Sequence, residues 1–202
     1  MNTMKKYILM LLAVLFTATS FANNAADARK ILDKAAAKVN LKSGASANFT
    51  ITGNKMGTQS GTIFIKGNKF NARTSNAIMW YNGKTQWVYS KKNNEVNVST
   101  PSASQQQSMN PYTFLSLYKK GYNMSVSTTA SGHQIHLIGK GKSISEMYIL
   151  VDKSYTIKQV KMKQKNGWMT INISNFKATS ISDSAFTFNA KDYPKAEVID
   201  LR

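Results

Sequence analysis

The sequence predicts a mainly β fold: an unclosed antiparallel β-barrel of about eleven strands, with an N-terminal helix and a second, short helix as lid or plug. Three observations carry that expectation. From Gly61 to Val98 the chain passes through short β-branched and aromatic segments, each closed by Gly or Asn turn chemistry, as a meandering sheet does. Apolar and polar side chains alternate through strand after strand, so one face of a single large sheet is apolar throughout. No second sheet of matching size follows, and a large sheet must curl or pack on something to hide such a face.

Residues 1–22 stand apart from the domain. Lys5 and Lys6 precede an apolar run from Tyr7 to Phe16, and Ser20-Phe21-Ala22 supplies small residues at −3 and −1, so a secretory signal peptide cleaved after Ala22 is expected. The run falls short of the ~20 apolar residues that span a bilayer, which weighs against a membrane anchor. The chain has no Cys, so neither lipid attachment to a mature N-terminal Cys, nor disulfide stapling, nor thiolate metal binding is expected. Residues 23–202 then fit one domain, with no Pro/Gly/Ser-rich linker or internal repeat to divide them.

From Ala25 to Asn40 the positions Ala28, Ile31, Leu32, Ala35, Ala36 and Val39 recur at three and four, with Asn24 as N-cap and Asp27 in the first turn: an amphipathic helix. Beyond Gly44 the period changes to two, Phe49 and Ile51 alternating with Asn48, Thr50 and Thr52. Strands follow over 59–66, 70–74, 77–81, 85–89 and 95–99. A Ser/Gln-rich loop from Thr100 to Met109 interrupts them, and Asn110-Pro111 starts the short helix, since Pro is favoured at the first helical position. Phe114, Leu115, Leu117 and Tyr118 make that helix apolar over most of its circumference, and it is the expected lid. Strand period resumes over 122–127, 133–139, 146–152, 157–163 and 168–176, with Ser131-Gly132 and Asn166-Gly167 as hairpin turns.

Parity defines the candidate site. Taking polar partners as outward leaves an inward set of Phe49, Ile51, Ile63, Ile65, Val96, Val98, Met124, Val126, Ile135, Leu137, Met147, Ile149, Val151, Val160, Met162, Met169, Ile171 and Ile173. Met79 and Tyr81 join the candidate lining, as do Trp87 and Tyr89, whose face depends on whether Asn82-Gly83 closes a two- or a three-residue loop. Apolar concavities with adaptable Met side chains suit varied ligands, although the same pattern fits a filled barrel as well as a hollow one.

Charge and catalytic chemistry narrow the function. Lys and Arg number 27 against 9 Asp and Glu, a formal charge of +18 that becomes +16 without Lys5 and Lys6. Such an excess draws a chain toward lipid headgroups, lipopolysaccharide phosphates or an acidic protein. The Lys residues are scattered singly with no Arg-rich tract, so nucleic acid is not expected. His133 and His136, the two histidines, lie three apart in a strand and face opposite ways, so they share no metal or proton relay. The carboxylates are dispersed and no G-x-S-x-G elbow occurs, so neither an enzyme nor a metal or cofactor is expected.

The order of these segments resembles the periplasmic outer-membrane lipoprotein carrier family, LolA. The resemblance lies in a G-x-(apolar)3-K strand from Gly61 to Lys66, an N-x-F re-entry ending at Phe70, the Asn82-Gly83-Lys84-Thr85-Gln86-Trp87-Val88-Tyr89 hairpin, and the Val96-Asn97-Val98 strand. The Pro111 helix follows, and the tail reads Ala185-Phe186-Thr187-Phe188 with Val198-Ile199-Asp200 beyond it. The resemblance implies an unclosed barrel lidded by helices, a monomer whose apolar cavity takes acyl chains of lipoproteins from an inner-membrane releasing transporter to an outer-membrane acceptor. It also implies a departure: an Arg-Pro pair typically follows the G-x-(apolar)3-K strand and ties the lid, whereas here Gly67-Asn68 follows Lys66. Arg73 is the substitute within reach, provided strand geometry allows it. A lipid-sensing or basic interaction module of the cell envelope, without transport, is the alternative.

Overall fold

The computed structural model describes residues 24–39, 42–53, 57–102, 105–106 and 117–202. A helix, α1, occupies residues 24–39. Twelve strands follow: β1 (Ala45–Gly53), β2 (Gly57–Lys66), β3 (Lys69–Thr74), β4 (Ala77–Tyr81), β5 (Gln86–Ser90), β6 (Glu95–Ser99), β7 (Asn123–Thr129), β8 (Gly132–Ile138), β9 (Glu146–Asp152), β10 (Ile157–Gln164), β11 (Gly167–Ala178) and β12 (Glu197–Asp200). They form one sheet in the order β12-β6-β5-β4-β3-β2-β1-β11-β10-β9-β8-β7, unclosed, with β12 and β7 at its ends. Every neighbouring pair is antiparallel except β12 with β6.

Eleven of these strands are the expected ones. The twelfth carries only four residues and pairs parallel to β6 through Val198 opposite Val96, a contact between segments about a hundred residues apart that local periodicity does not announce. Two-residue hairpins need positive φ, and Gly67 supplies it between β2 and β3 at +56°.

Helix α1 lies against one face of the sheet, here the helix face. Ala28, Leu32 and Ala35, one stripe of the helix, pack with Ile135, Leu137, Met147, Ile149, Val151, Val160 and Met162 in a fully buried cluster. Asn24 secures the start of the helix to the edge of the sheet. Its carboxamide donates to the Val126 carbonyl at 3.0 Å and accepts from the Val126 amide at 2.5 Å, satisfying both groups of a residue on edge strand β7. A smaller cluster, Ala45, Ile65, Phe70 and Tyr81, occupies the same face across β1–β4.

Past β11 the chain crosses to the opposite face and covers β3–β6 there. Two 3₁₀ turns, Asp183–Phe186 and Ala190–Asp192, hold this segment in place. Asn71 donates to the Ala185 carbonyl at 2.9 Å, and Phe188 and Tyr193 meet the Trp80 ring edge-on at 5.5 and 5.6 Å. Phe186 is fully buried. The domain therefore has two cores, one on each side of the sheet.

That second core corrects part of the expected lining. Register sets Val98 opposite Trp87, Trp87 opposite Trp80, and Trp80 opposite Asn71, while Val96 lies opposite Tyr89 and Tyr89 opposite Ile78. Trp87, Tyr89, Val96 and Val98 thus face the C-terminal segment rather than α1. The connection from β4 to β5 is four residues long, Asn82 to Thr85, closed by Asn82 accepting from the Lys84 and Thr85 amides at 3.0 and 2.8 Å. Tyr81 pairs with Gln86 across it, which sends Trp87 to the opposite face. In β6 the alternation reported a buried face without saying which one.

Candidate functional site

The remaining expected lining residues share the helix face. Ladder partners run from Met124 and Val126 on β7 through Leu137 and Ile135, Met147 and Ile149, Met162 and Val160, Met169 and Ile171, to Ile51 on β1. Phe49 lies opposite Ile173, and Ile63, Ile65, Met79 and Tyr81 extend the face over β2 and β4. Val151 pairs with Ile157, after which a bulge restores Val160 to the same side.

Burial along this face is uneven, and the unevenness defines the site. Under α1 the β8–β10 residues are fully buried. On β11, β1 and β2 the residues Met169, Ile171, Ile173, Phe49, Ile51 and Ile63 are only half-buried. They form an apolar floor between the α1 cluster and the Phe70–Tyr81 cluster. Phe49 can extend over β2 because its neighbour there is Gly61. A Cβ at Gly61 would stand 2.8 Å from Phe49 Cζ and 2.1 Å from the Arg73 carbonyl oxygen.

Of the expected lid, Phe114 and Leu115 lie outside the described residues. Leu117 and Tyr118 are both buried and belong to the α1 cluster. The Tyr118 hydroxyl donates to Asp33 on α1, and burial together with that carboxylate pushes the phenol far above its ordinary value.

Lys66, the last residue of the G-x-(apolar)3-K strand, points to the opposite face. It donates to the Ile181 carbonyl at 2.9 Å and pairs with Asp183 at 3.0 Å, and Lys69 pairs with the same carboxylate at 2.9 Å. The two lysines hold Asp183 below the usual carboxylate range. Arg73 also faces away from α1, donating to Asn71 Oδ1 at 3.0 Å with its guanidinium 5.8 Å from the Phe64 ring. Lys66 and Lys69, at the turn from β2 to β3, thus fasten the C-terminal segment, and Arg73 lies on that same face.

The histidines lie on opposite faces. His133 stacks with Tyr155 on the helix side, while His136 stacks on Tyr148 at 4.3 Å and contacts Glu146 at 2.9 Å on the other. Hydrogen bonds from Tyr148 and then His136 hold the Glu146 carboxyl below its ordinary value. No group of three or more His, Asp or Glu side chains suited to a metal occurs among the described residues. Two open grooves of about 470 Å³ each lie away from the floor. One follows the β1–β11 bulge past Ser46, Thr62 and Lys177, and the other lies beside Gln86, Ser99 and Arg202. The first mixes polar side chains with Ala47, Phe64 and Phe176, and the second is mainly polar, unlike the floor.

The family model of the outer membrane lipoprotein carrier protein LolA matches residues 18–167. This chain belongs to the LolA family. Its matched region contains α1 and strands β1 to β10, hence Phe49, Ile51 and Ile63 of the floor; Met169, Ile171 and Ile173 on β11 and the C-terminal segment lie beyond it. No curated protein matches the sequence. Among solved structures, an uncharacterized conserved protein from Thermus thermophilus is 12% identical, with 86% of this chain and 99% of that chain covered and a TM-score of 0.59. A LolA superfamily protein from Nitrosomonas europaea is 13% identical over 80% of this chain and 97% of that one, with a TM-score of 0.45. LprF from Mycobacterium bovis is 10% identical over 79% and 96%, with a TM-score of 0.44. At 12% identity the likeness to the Thermus thermophilus protein is one of fold.

Proposed function

We propose that this protein is a periplasmic carrier, or chaperone, that holds lipoprotein acyl chains against the half-buried floor of β11, β1 and β2. Residues 1–22 serve as its export signal and residues 23–202 as a single carrier domain. Cargo comes from an inner-membrane releasing transporter and goes to an outer-membrane acceptor. No catalysis is involved. The observation behind the reading is the floor itself, where Met169, Ile171, Ile173, Phe49, Ile51 and Ile63 form an apolar surface that α1 leaves half-buried in a LolA family member.

Burying an acyl chain there gains about 0.8 kcal/mol per methylene, so a short contact releases cargo readily and a long one holds it. Leu117 and Tyr118, at the end of the lid segment, pack in the neighbouring α1 cluster. An acyl chain can take the place of such side chains at little cost, because one apolar contact replaces another.

Displacement of a fluorescent fatty-acid probe tests this. Ile171→Glu places a carboxylate on the floor and should weaken probe binding about tenfold or more, because the charge must be desolvated or neutralised. Asn172→Glu, its exposed neighbour on the other face, should leave binding unchanged. Wild-type affinity in folded Ile171→Glu protein would sink the carrier reading. The fully buried side chains under α1 favour a second reading, a filled core whose basic exterior meets envelope anions. That reading predicts no probe uptake by the wild type.

A further inference from the structure

The face opposite α1 is unequally covered. Over β3–β6 it meets the C-terminal segment, whereas across β8–β11 it presents two rows of side chains at the rim where the β8–β9 and β10–β11 hairpins turn. Ladder pairing sets Ile138, Glu146, Lys163 and Trp168 in one row, and His136, Tyr148, Lys161 and Thr170 in the next.

The two rows interlock. The Lys161 and Lys163 ammonium groups stand 4.8 and 5.9 Å from the Trp168 ring, and Tyr148 lies 6.0 Å from Trp168 while stacking on His136. Ile138 is 43% exposed beside them. The hairpin residues Lys140 and Lys165 add to the same rim, tied together where the Ser145 amide donates to the Lys163 carbonyl at 3.1 Å. Among the described residues none of these four lysines forms an ion pair. Glu146, the carboxylate of the two rows, is engaged by His136 and Tyr148.

Lysines ringing amphipathic aromatics and an exposed aliphatic side chain match a bilayer interface. Indole and phenol rings rest at headgroup level, and each lysine is attracted by anionic lipid. We propose that this rim is a docking surface for an anionic phospholipid bilayer, with Trp168 entering the interface between Lys161 and Lys163. It lies across the sheet from the apolar floor and does not rest on the carrier reading.

Sedimentation of the mature chain with phosphatidylcholine vesicles, with and without phosphatidylglycerol, tests the proposal. Binding should require phosphatidylglycerol and weaken steeply as salt rises. At about fivefold per lysine near an anionic surface, Lys161→Ala/Lys163→Ala should weaken partitioning about 25-fold. Lys84→Ala/Lys92→Ala, with the same change in net charge but placed in other hairpins, should change it severalfold less. Trp168 should become protected from an aqueous quencher on vesicle binding, a signal that Trp168→Phe removes. Equal losses in the two double variants, equal binding to neutral vesicles, or Trp168 remaining accessible at saturating anionic lipid would each overturn the proposal. Ile171→Glu should retain vesicle binding even where it loses probe uptake, which keeps the two readings separable.

Discussion

Phe186→Ala is the sharpest test of a domain with two cores. Phe186 ends the first 3₁₀ turn of the C-terminal segment and is fully buried, on the side of the sheet away from α1. Removing its ring forfeits the transfer energy of a large apolar side chain and leaves a cavity that the strands cannot fully collapse. Such truncations cost about 3–5 kcal/mol. With a urea m-value of about 2 kcal/mol per molar for a domain of this size, the unfolding midpoint should fall by about 2 M. The floor lies across the sheet, so fatty-acid probe affinity should stay at the wild-type value in folded protein. A loss below about 1 kcal/mol would show that the C-terminal segment is not part of the cooperative core. A parallel fall in probe affinity, with the protein still folded, would show that the two faces are not independent.

Three further outcomes are expected. Gly61→Ala should destabilise the domain by about 3 kcal/mol in urea titration, because the new methyl collides with the Arg73 carbonyl on β3 and with the Phe49 ring. Asn24→Ala should cost about 1–2 kcal/mol and speed hydrogen exchange at Val126, whose backbone amide and carbonyl lose their partner. Burial raises the Asp152 carboxyl, but the Thr156 and Ser154 amides, the Ser154 hydroxyl and Lys158 outweigh it and hold the group at about 2. A depressed folded value means that the stabilisation, about 2 kcal/mol, is complete above the unfolded value of 3.8 and is lost as the pH falls toward about 2. Asp152→Asn should therefore be less stable at neutral pH and show a flatter acid-unfolding curve in that window, measured by circular dichroism.

Much of this protein is legible in its sequence because the signals are local. The three- and four-residue spacing of Ala28, Leu32 and Ala35 marks a helix and its buried stripe, and alternation in β8–β11 marks both the strands and which of their side chains are buried together. That Met169, Ile171, Ile173, Phe49 and Ile51 share one face was legible for the same reason, since strand period and face are one property there. Which side of the sheet each buried face meets was set by long-range packing alone. Val96 and Val98 alternate as cleanly as Ile135 and Leu137, yet they turn to a core built by Phe186, Phe188 and Tyr193, some ninety residues later in the chain. The four-residue connection after Tyr81 likewise sent Trp87 across the sheet. Alternation records that a face is buried. It carries no sign, because the two sides of a strand are equivalent until another part of the chain packs against one of them.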